Sequence, residues 1–250
     1  MGFYEEIAGQ YDHMTRFHER MDKETAMLKR WIERYGFSTA LDVACGTGLH
    51  AIALARLGIQ AAGADISEAM LAKARSHAHE FGVQILWIQA SMQELRQHLH
   101  AEYQAIFCLG NSLPHLLQQA DLEAACANFY HLLSPGGVLV LQLLNYHRIL
   151  TEQDRIVGIH RQGDATYIRF YDFSPGRLMF NLLTIHFHHE TCTHALHSTP
   201  LYPYRQDELE RHLSTHGFID LESYGDMQFH PFEEQVSTNL VIVGKRGVQK

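Results

Sequence analysis

Residues 41 to 55, LDVACGTGLHAIALA, constrain the fold more than any other stretch: an apolar strand runs into a glycine turn and straight on into a helix. Leu41 and Val43 suit a central strand. Gly46 and Gly48 let the backbone bend sharply and approach a ligand without an intervening Cβ, and Ala51, Ile52, Leu54 and Ala55 begin an apolar helical face. The helix start points unpaired N–H groups and the positive end of its dipole at whatever sits above the turn, which favours a carboxylate or phosphate there.

The spacing Gly46-Thr47-Gly48-Leu49-His50-Ala51 also fits the dinucleotide fingerprint in its G-x-G-x-x-A form. A second apolar run, IQAAGADIS (59–67), ends in Asp65, nineteen residues beyond Gly46, where a carboxylate accepts both hydroxyls of a ribose. This arrangement serves NAD and S-adenosylmethionine equally well.

The rest of the first 150 residues alternates. Helical spacing covers 3–14 and 19–35, the second with a stripe of Met21, Met27, Leu28, Trp31 and Ile32. Strands are expected near 39–43, 60–64, 84–88, 103–108 and 137–144, separated by helices near 49–57, 67–80, 91–98 and 121–133. Such alternation means an α/β fold, a doubly wound parallel sheet with helices on both faces and ligands at the carboxyl ends of its strands. After residue 150 the pattern turns to antiparallel strands at 155–161, 165–173, 177–189 and 192–204. A helix over 207–215, a strand over 218–225 and a last strand over 239–246 follow.

Two further segments separate the cofactors: AIFCLGNSLPHL (105–116) and LLSPGGVLVLQLLNY (132–146), the latter with a Ser134-Pro135-Gly136-Gly137 turn. With them the chain resembles the class I S-adenosylmethionine-dependent methyltransferases. Within that class LDVACGTG, CLGNS and NY followed by IL are most similar to the glycine and sarcosine N-methyltransferases. The resemblance implies a Rossmann-like seven-stranded, mostly parallel sheet with an antiparallel last strand, plus an inserted antiparallel β platform. It divides the single domain into cap helices (1–36), a cofactor-binding core (37–150), the insertion (151–204), and the last helix with the closing strands (205–250).

The resemblance also implies roles. Cofactor-binding positions are Tyr11, closing over the cofactor; Asp42, steering its ammonium; Ala44, Gly46 and Gly48 in the turn; Asp65 on the ribose; Ile66 and Met70 against the adenine; Ser91-Met92, where relatives carry Asp-Met; and Leu109 and Asn111. His115 is the best-placed base, its pKa lying near neutrality, with Asn111 and Tyr146 as the other catalytic candidates. Asn145, Tyr146 and Arg148 are the substrate-binding candidates, with His147 beside them. One departure bears on the acceptor. The residue before the Asn-Tyr pair is an arginine clamping the substrate carboxylate in the glycine enzymes and Leu144 here, and a leucine cannot replace a bidentate cation.

Composition fits that reading. Of 250 residues 46% are hydrophobic, and a chain this long buries about three quarters of its unfolded surface. A formal charge of −8 offers no basic stripe for phosphates, so a small-molecule acceptor rather than nucleic acid is expected. Cys45, Cys108, Cys126 and Cys192 show no paired spacing and fit reduced thiols. Acids stand in MGFYEEIAGQYD where a signal peptide needs lysine or arginine, and no apolar run reaches membrane-spanning length. A cytoplasmic enzyme is the expectation, without membrane attachment. The insertion offers a lid or a homodimer surface. It also carries His186, His188, His189, His194 and His197, whose chemistry would suit zinc; a solvated polar strand face is the simpler reading, and no metal is expected. Two other functions remain open: an NAD-dependent oxidoreductase, and a cofactor-binding but non-catalytic partner-binding module.

Overall fold

Strands with apolar residues on both sides must be covered on both sides, and that requirement dictates the layering here. In the computed structural model, which describes residues 3–174, 177–188 and 191–248, helices α1 (Phe3–Thr15) and α2 (Phe17–Tyr35) precede the sheet. The alternating half runs β1 (Thr39–Val43), α3 (Leu49–Arg56), β2 (Gln60–Asp65), α4 (Glu68–Glu80), β3 (Leu86–Gln89), α5 (Leu95–His98) and β4 (Tyr103–Cys108). A 3-10 turn (Leu113–His115), α6 (Gln119–Leu132), β5 (Leu133–Leu144) and α7 (Tyr146–Glu152) follow. Then come β6 (Ile156–Gln162), β7 (Ala165–Ser174), β8 (Arg177–His188), β9 (Thr191–Leu201), α8 (Gln206–Thr215), β10 (Phe218–Tyr224) and β11 (Asn239–Arg246).

Seven strands form one sheet in the order β10-β11-β5-β4-β1-β2-β3, with β11 antiparallel to both its neighbours. The mixed sheet with an antiparallel last strand is the expected fold class. On one face Leu41, Ile106 and Leu139 pack against Phe129 of α6 and Leu213 of α8. On the other Ala40, Phe107 and Val140 meet Leu28 and Trp31 of α2 and Leu54 of α3, so the methionine–tryptophan stripe is core. Strands β6 to β9 form a separate antiparallel sheet inserted between α7 and α8. Its inner face carries Ala165, Tyr167 and Leu182 against Ile7 and Ala8 of α1. No described helix is long and apolar enough to cross a membrane.

Two expected elements are corrected. The helix over 91–98 shrinks to Leu95–His98, because Ser91 O accepts Glu94 N–H in a turn and Asn128 Nδ2 donates to the Met92 carbonyl at 2.8 Å. The strand expected from 137 begins at Leu133, so Ser134 to Gly137 is an irregular strand start rather than a free turn. Gly136 there adopts φ +79°, and pairing with β4 shifts register between Tyr103 and Ala105.

Candidate active site

All parallel strands end on the same side, and above their ends lies a cavity of about 340 Å³ roofed by α1 and the start of α2. The turn after β1 supplies its floor. Ala44 takes a left-handed conformation (φ 54°), a geometry that costs a non-glycine residue on the order of 1–2 kcal/mol, and Gly46 follows at φ +55°. A Cβ on Gly46 would lie 3.7 Å from the Tyr11 ring, so the missing methyl keeps space open beneath α1. Asp65 ends β2 with 7% of its surface exposed; one carboxylate oxygen accepts Gly46 N–H at 2.8 Å and the other Ser67 N–H at 2.9 Å. Burial raises Asp65 above the usual carboxylate range, and these two N–H groups pull it back.

Charge at the α2–α3 side is paired. Glu24 accepts from Arg20 at 2.9 Å and sits 3.5 Å from His50. Burial alone would raise Glu24, but the hydrogen bond and charge of His50, with those of Arg20, hold it down at about 2. At the opposite end the Tyr4 hydroxyl meets His115 Nε2 at 2.9 Å, with the rings edge-on at 5.3 Å. Burial lowers His115 to about 4, so the imidazole is neutral at physiological pH, and burial raises Tyr4 so that the phenol keeps its proton.

Tyr11, Ala44, Gly46, Asp65, Ile66 and Met70 all line this cavity, as do Ser91, Met92, Leu109 and His115. Ile66 stands 66% exposed at its mouth, and the Ser91 hydroxyl donates to Glu94 at 2.7 Å. Other expectations are redirected. Gly48 does not face the cavity: a Cβ there would lie 2.7 Å from the Trp87 ring and 3.0 Å from Ala74, so this glycine admits a tryptophan, as Gly63 also does. Asp42 is 1% exposed and turns its carboxylate to Ala51 N–H at 3.2 Å, which places it under the helix start instead of in the cavity. Asn145 caps α7, accepting from Arg148 N–H and donating to the Glu234 and Ser237 carbonyls. Arg148 pairs with Glu152 at 2.8 Å, and His147 sits 3.0 Å from Glu234. Asn111, at φ 65°, exchanges hydrogen bonds with the 1% exposed Tyr146 and accepts Leu144 N–H, joining the ends of β4 and β5 just behind the cavity wall.

Among the lining residues that escape the sequence reading are Tyr4, Arg20, His50 and Thr199. Tyr4 carries a signal, since it precedes the expected Tyr11 by two helical turns on one face. Arg20 shows its link to Glu24 only as an i,i+4 pair, and Thr199 gives no local sign of its place on β9.

Residues 40–137 match the family described as a methyltransferase domain. The glycine/sarcosine N-methyltransferase of Parasynechococcus marenigrum (strain WH8102) is 29% identical over 226 residues, 90% of this chain and 79% of that protein. The ubiquinone biosynthesis O-methyltransferase of Pseudomonas paraeruginosa is 35% identical over 118 residues, 46% of this chain and 49% of its own length. The crystal structure of an S-adenosylmethionine-dependent methyltransferase from Clostridium acetobutylicum superposes with a TM-score of 0.80 at 16% identity, over 98% of this chain and 100% of that one. The chain is a class I S-adenosylmethionine-dependent methyltransferase.

The NAD-dependent alternative that the glycine spacing left open is not supported. S-adenosylmethionine is the cofactor of this methyltransferase, and the cavity fits it. A carboxylate fixed by two backbone N–H groups suits a ribose diol. Exposed Ile66 and buried Met70 offer apolar surface to a base, and the space above Gly46 suits a chain running past the turn. Among the described lining residues Arg20 brings the guanidinium for an amino acid carboxylate.

Proposed function

We propose that the methyltransferase carries a methyl group to nitrogen or oxygen of a small molecule other than glycine, with Tyr4 and His115 at the acceptor. The observation that supports this most is the neutral Tyr4–His115 pair on the cavity wall. S-adenosylmethionine supplies a methyl group already activated by its sulfonium, so the protein's part is to hold the acceptor in line and exclude water, an effect worth several kcal/mol. His115 holds its lone pair for a hydrogen bond, because burial keeps the ring unprotonated. Tyr11 and the rest of α1 cover the reacting centre, and Asp65, Gly46 and Ser67 fix the nucleoside.

Glycine is disfavoured because Leu144 offers no cation and the neighbouring Arg148 is committed to Glu152 and the Val236 carbonyl. Calorimetry with S-adenosylhomocysteine against NADH tests the cofactor reading, with the former expected to bind and the latter not. Glycine and sarcosine, assayed with labelled donor, are expected to turn over poorly; rates equal to those of another acceptor would refute the exclusion.

The same reading places the enzyme in the cytoplasm, acting on a metabolite and not on nucleic acid. The insertion also suits a contact between two copies: Ile159, Ile168, Leu183 and Leu196 stand opposite one another across all four strands on the face away from α1. Ile159 and Leu196 are 65% and 56% exposed. Sedimentation of the wild type beside Ile159→Glu tests this, a shift from dimer to monomer being expected.

A further inference from the structure

The lining side chains of the cavity differ in charge, and that difference bears on what can be methylated. Resting on the methyltransferase reading above, the proposal concerns the part of the wall built by Tyr4 and His115. Phe3 and Tyr4 meet edge-on there at 5.2 Å, Tyr4 meets His115 the same way, and Leu116 completes an apolar wall. The polar atoms this wall offers are those of two uncharged groups, Tyr4 Oη and the His115 imidazole, already joined at 2.9 Å. Charged lining groups lie elsewhere and are engaged: Arg20 and His50 both face Glu24, and the Asp65 oxygens hold Gly46 and Ser67.

Three physical arguments converge. A sulfonium donor repels a cationic acceptor, and an ammonium has no lone pair with which to attack. An anionic acceptor needs a cation within hydrogen-bonding reach, and the one guanidinium of the described lining, Arg20, is shared between Glu24 and the cofactor's own carboxylate, with His50 facing Glu24. An unpaired charge brought against apolar walls loses hydration that nothing repays. A cavity of about 340 Å³ is also near the lower end of the roughly 300–1,000 Å³ typical of ligand sites, so an acceptor that shares it with the donor must be small.

We propose that the acceptor is a small uncharged molecule with an apolar, ring-sized body, presented to the Tyr4–His115 pair through a hydroxyl group or an unprotonated amine. The acceptor's lone pair forms the new bond to the methyl carbon. The carbon–sulfur pair returns to sulfur, leaving a neutral thioether, and the positive charge passes to the methylated acceptor. From a methylated hydroxyl the proton moves to Tyr4 Oη as the Tyr4 proton moves to His115 Nε2, and the imidazolium then releases its Nδ1 proton to water; a methylated amine keeps its proton and leaves as the ammonium. A methylated hydroxyl is acidic enough to give up that proton to a weak base, whereas an alkylammonium is not.

The test uses one ring in three charge states. Protein saturated with S-adenosylhomocysteine is titrated calorimetrically at neutral pH with phenol, 4-hydroxybenzoate and tyramine. Phenol is expected to bind at least about tenfold tighter than either charged ring. In Tyr4→Phe its affinity should fall roughly two- to tenfold while that for S-adenosylhomocysteine holds. Equal or tighter binding of a charged ring, or no saturable binding of phenol, would each overturn the proposal with the methyltransferase reading intact, and phenol affinity indifferent to Tyr4→Phe would overturn it together with the placement of the acceptor at Tyr4 and His115. If S-adenosylhomocysteine itself fails to bind, both fall together.

Discussion

Asp65 and Gly48 show how two residues of one motif family do different work. Asp65 anchors two backbone N–H groups at the cavity. Removing the carboxylate leaves both unpaired and deletes the ribose acceptor, so Asp65→Ala is expected to cost about 1–3 kcal/mol of cofactor affinity, a loss of roughly ten- to a hundredfold, read by calorimetry with S-adenosylhomocysteine. Gly48 anchors nothing in the cavity. Its Cβ would collide with Trp87 at 2.7 Å from a backbone at φ +87°. Gly48→Ala should therefore lower stability by about 1–3 kcal/mol in thermal unfolding, with a smaller effect on cofactor affinity, and Trp87→Leu in the same chain should recover part of the loss. The glycine spacing was legible as a strand–turn–helix. Which glycine serves a ligand and which a tryptophan 39 positions later was not, because Trp87 arrives from β3, and no local pattern pairs it with the turn.

At the scale of elements, α1 is held by side chains from three directions. Asp12 reaches Lys73 at 3.1 Å and His77 at 3.4 Å on α4, Glu6 meets His197 at 2.9 Å on β9, and Tyr4 meets His115. Asp12 Oδ1 is also buried without a hydrogen-bond partner among the described residues. Asp12→Ala would free α1 from α4, and faster amide exchange across 3–15 together with a several-fold weaker grip on S-adenosylhomocysteine is the expected result. Helical periodicity announced α1 itself, but its contacts lie in residues scattered over the chain. The histidine-rich hairpin illustrates the same point. His197 receives Glu6, and His160 of β6 receives Arg16 at 3.0 Å. Neither partner could be read from a strand's alternation. His189 and the side chain of His188 lie outside the described residues, and among the described ones no group of three or more ligating side chains is arranged for a metal ion.

For the molecule as a whole, the buried Asp42 and the half-buried Glu24 and His115 contribute to acid stability with opposite signs. His115 titrates at about 4 folded against 6.5 unfolded, so the unfolded chain takes up the proton first and stability falls as pH drops through that window. Glu24, at about 2 against 4.5, does the same lower down. Asp42, which burial raises to about 6 from 3.8, binds its proton first in the folded state and adds stability over that interval. Thermal unfolding of Asp42→Asn should therefore exceed the wild-type midpoint most at neutral pH, with the gap narrowing as pH falls towards about 4. The alternation of strands and helices was legible in hydrophobic runs and their spacing, and the antiparallel last strand in the resemblance that LDVACGTG, CLGNS and the Pro-Gly-Gly segment carry. The contribution of β9 to the cavity was not, since Thr199 lies far along the chain from the glycine turn and Asp65.

That separation has a consequence for biosynthesis. A nascent chain emerging from the ribosome presents the glycine turn and Asp65 together, yet Thr199 of β9 follows 134 residues after Asp65. β11, which must slot between β5 and β10, comes later still. The adenosyl ligand therefore meets a finished pocket only once β9 has been made and folded back, and its binding acts as a seal on that assembly instead of a template for it.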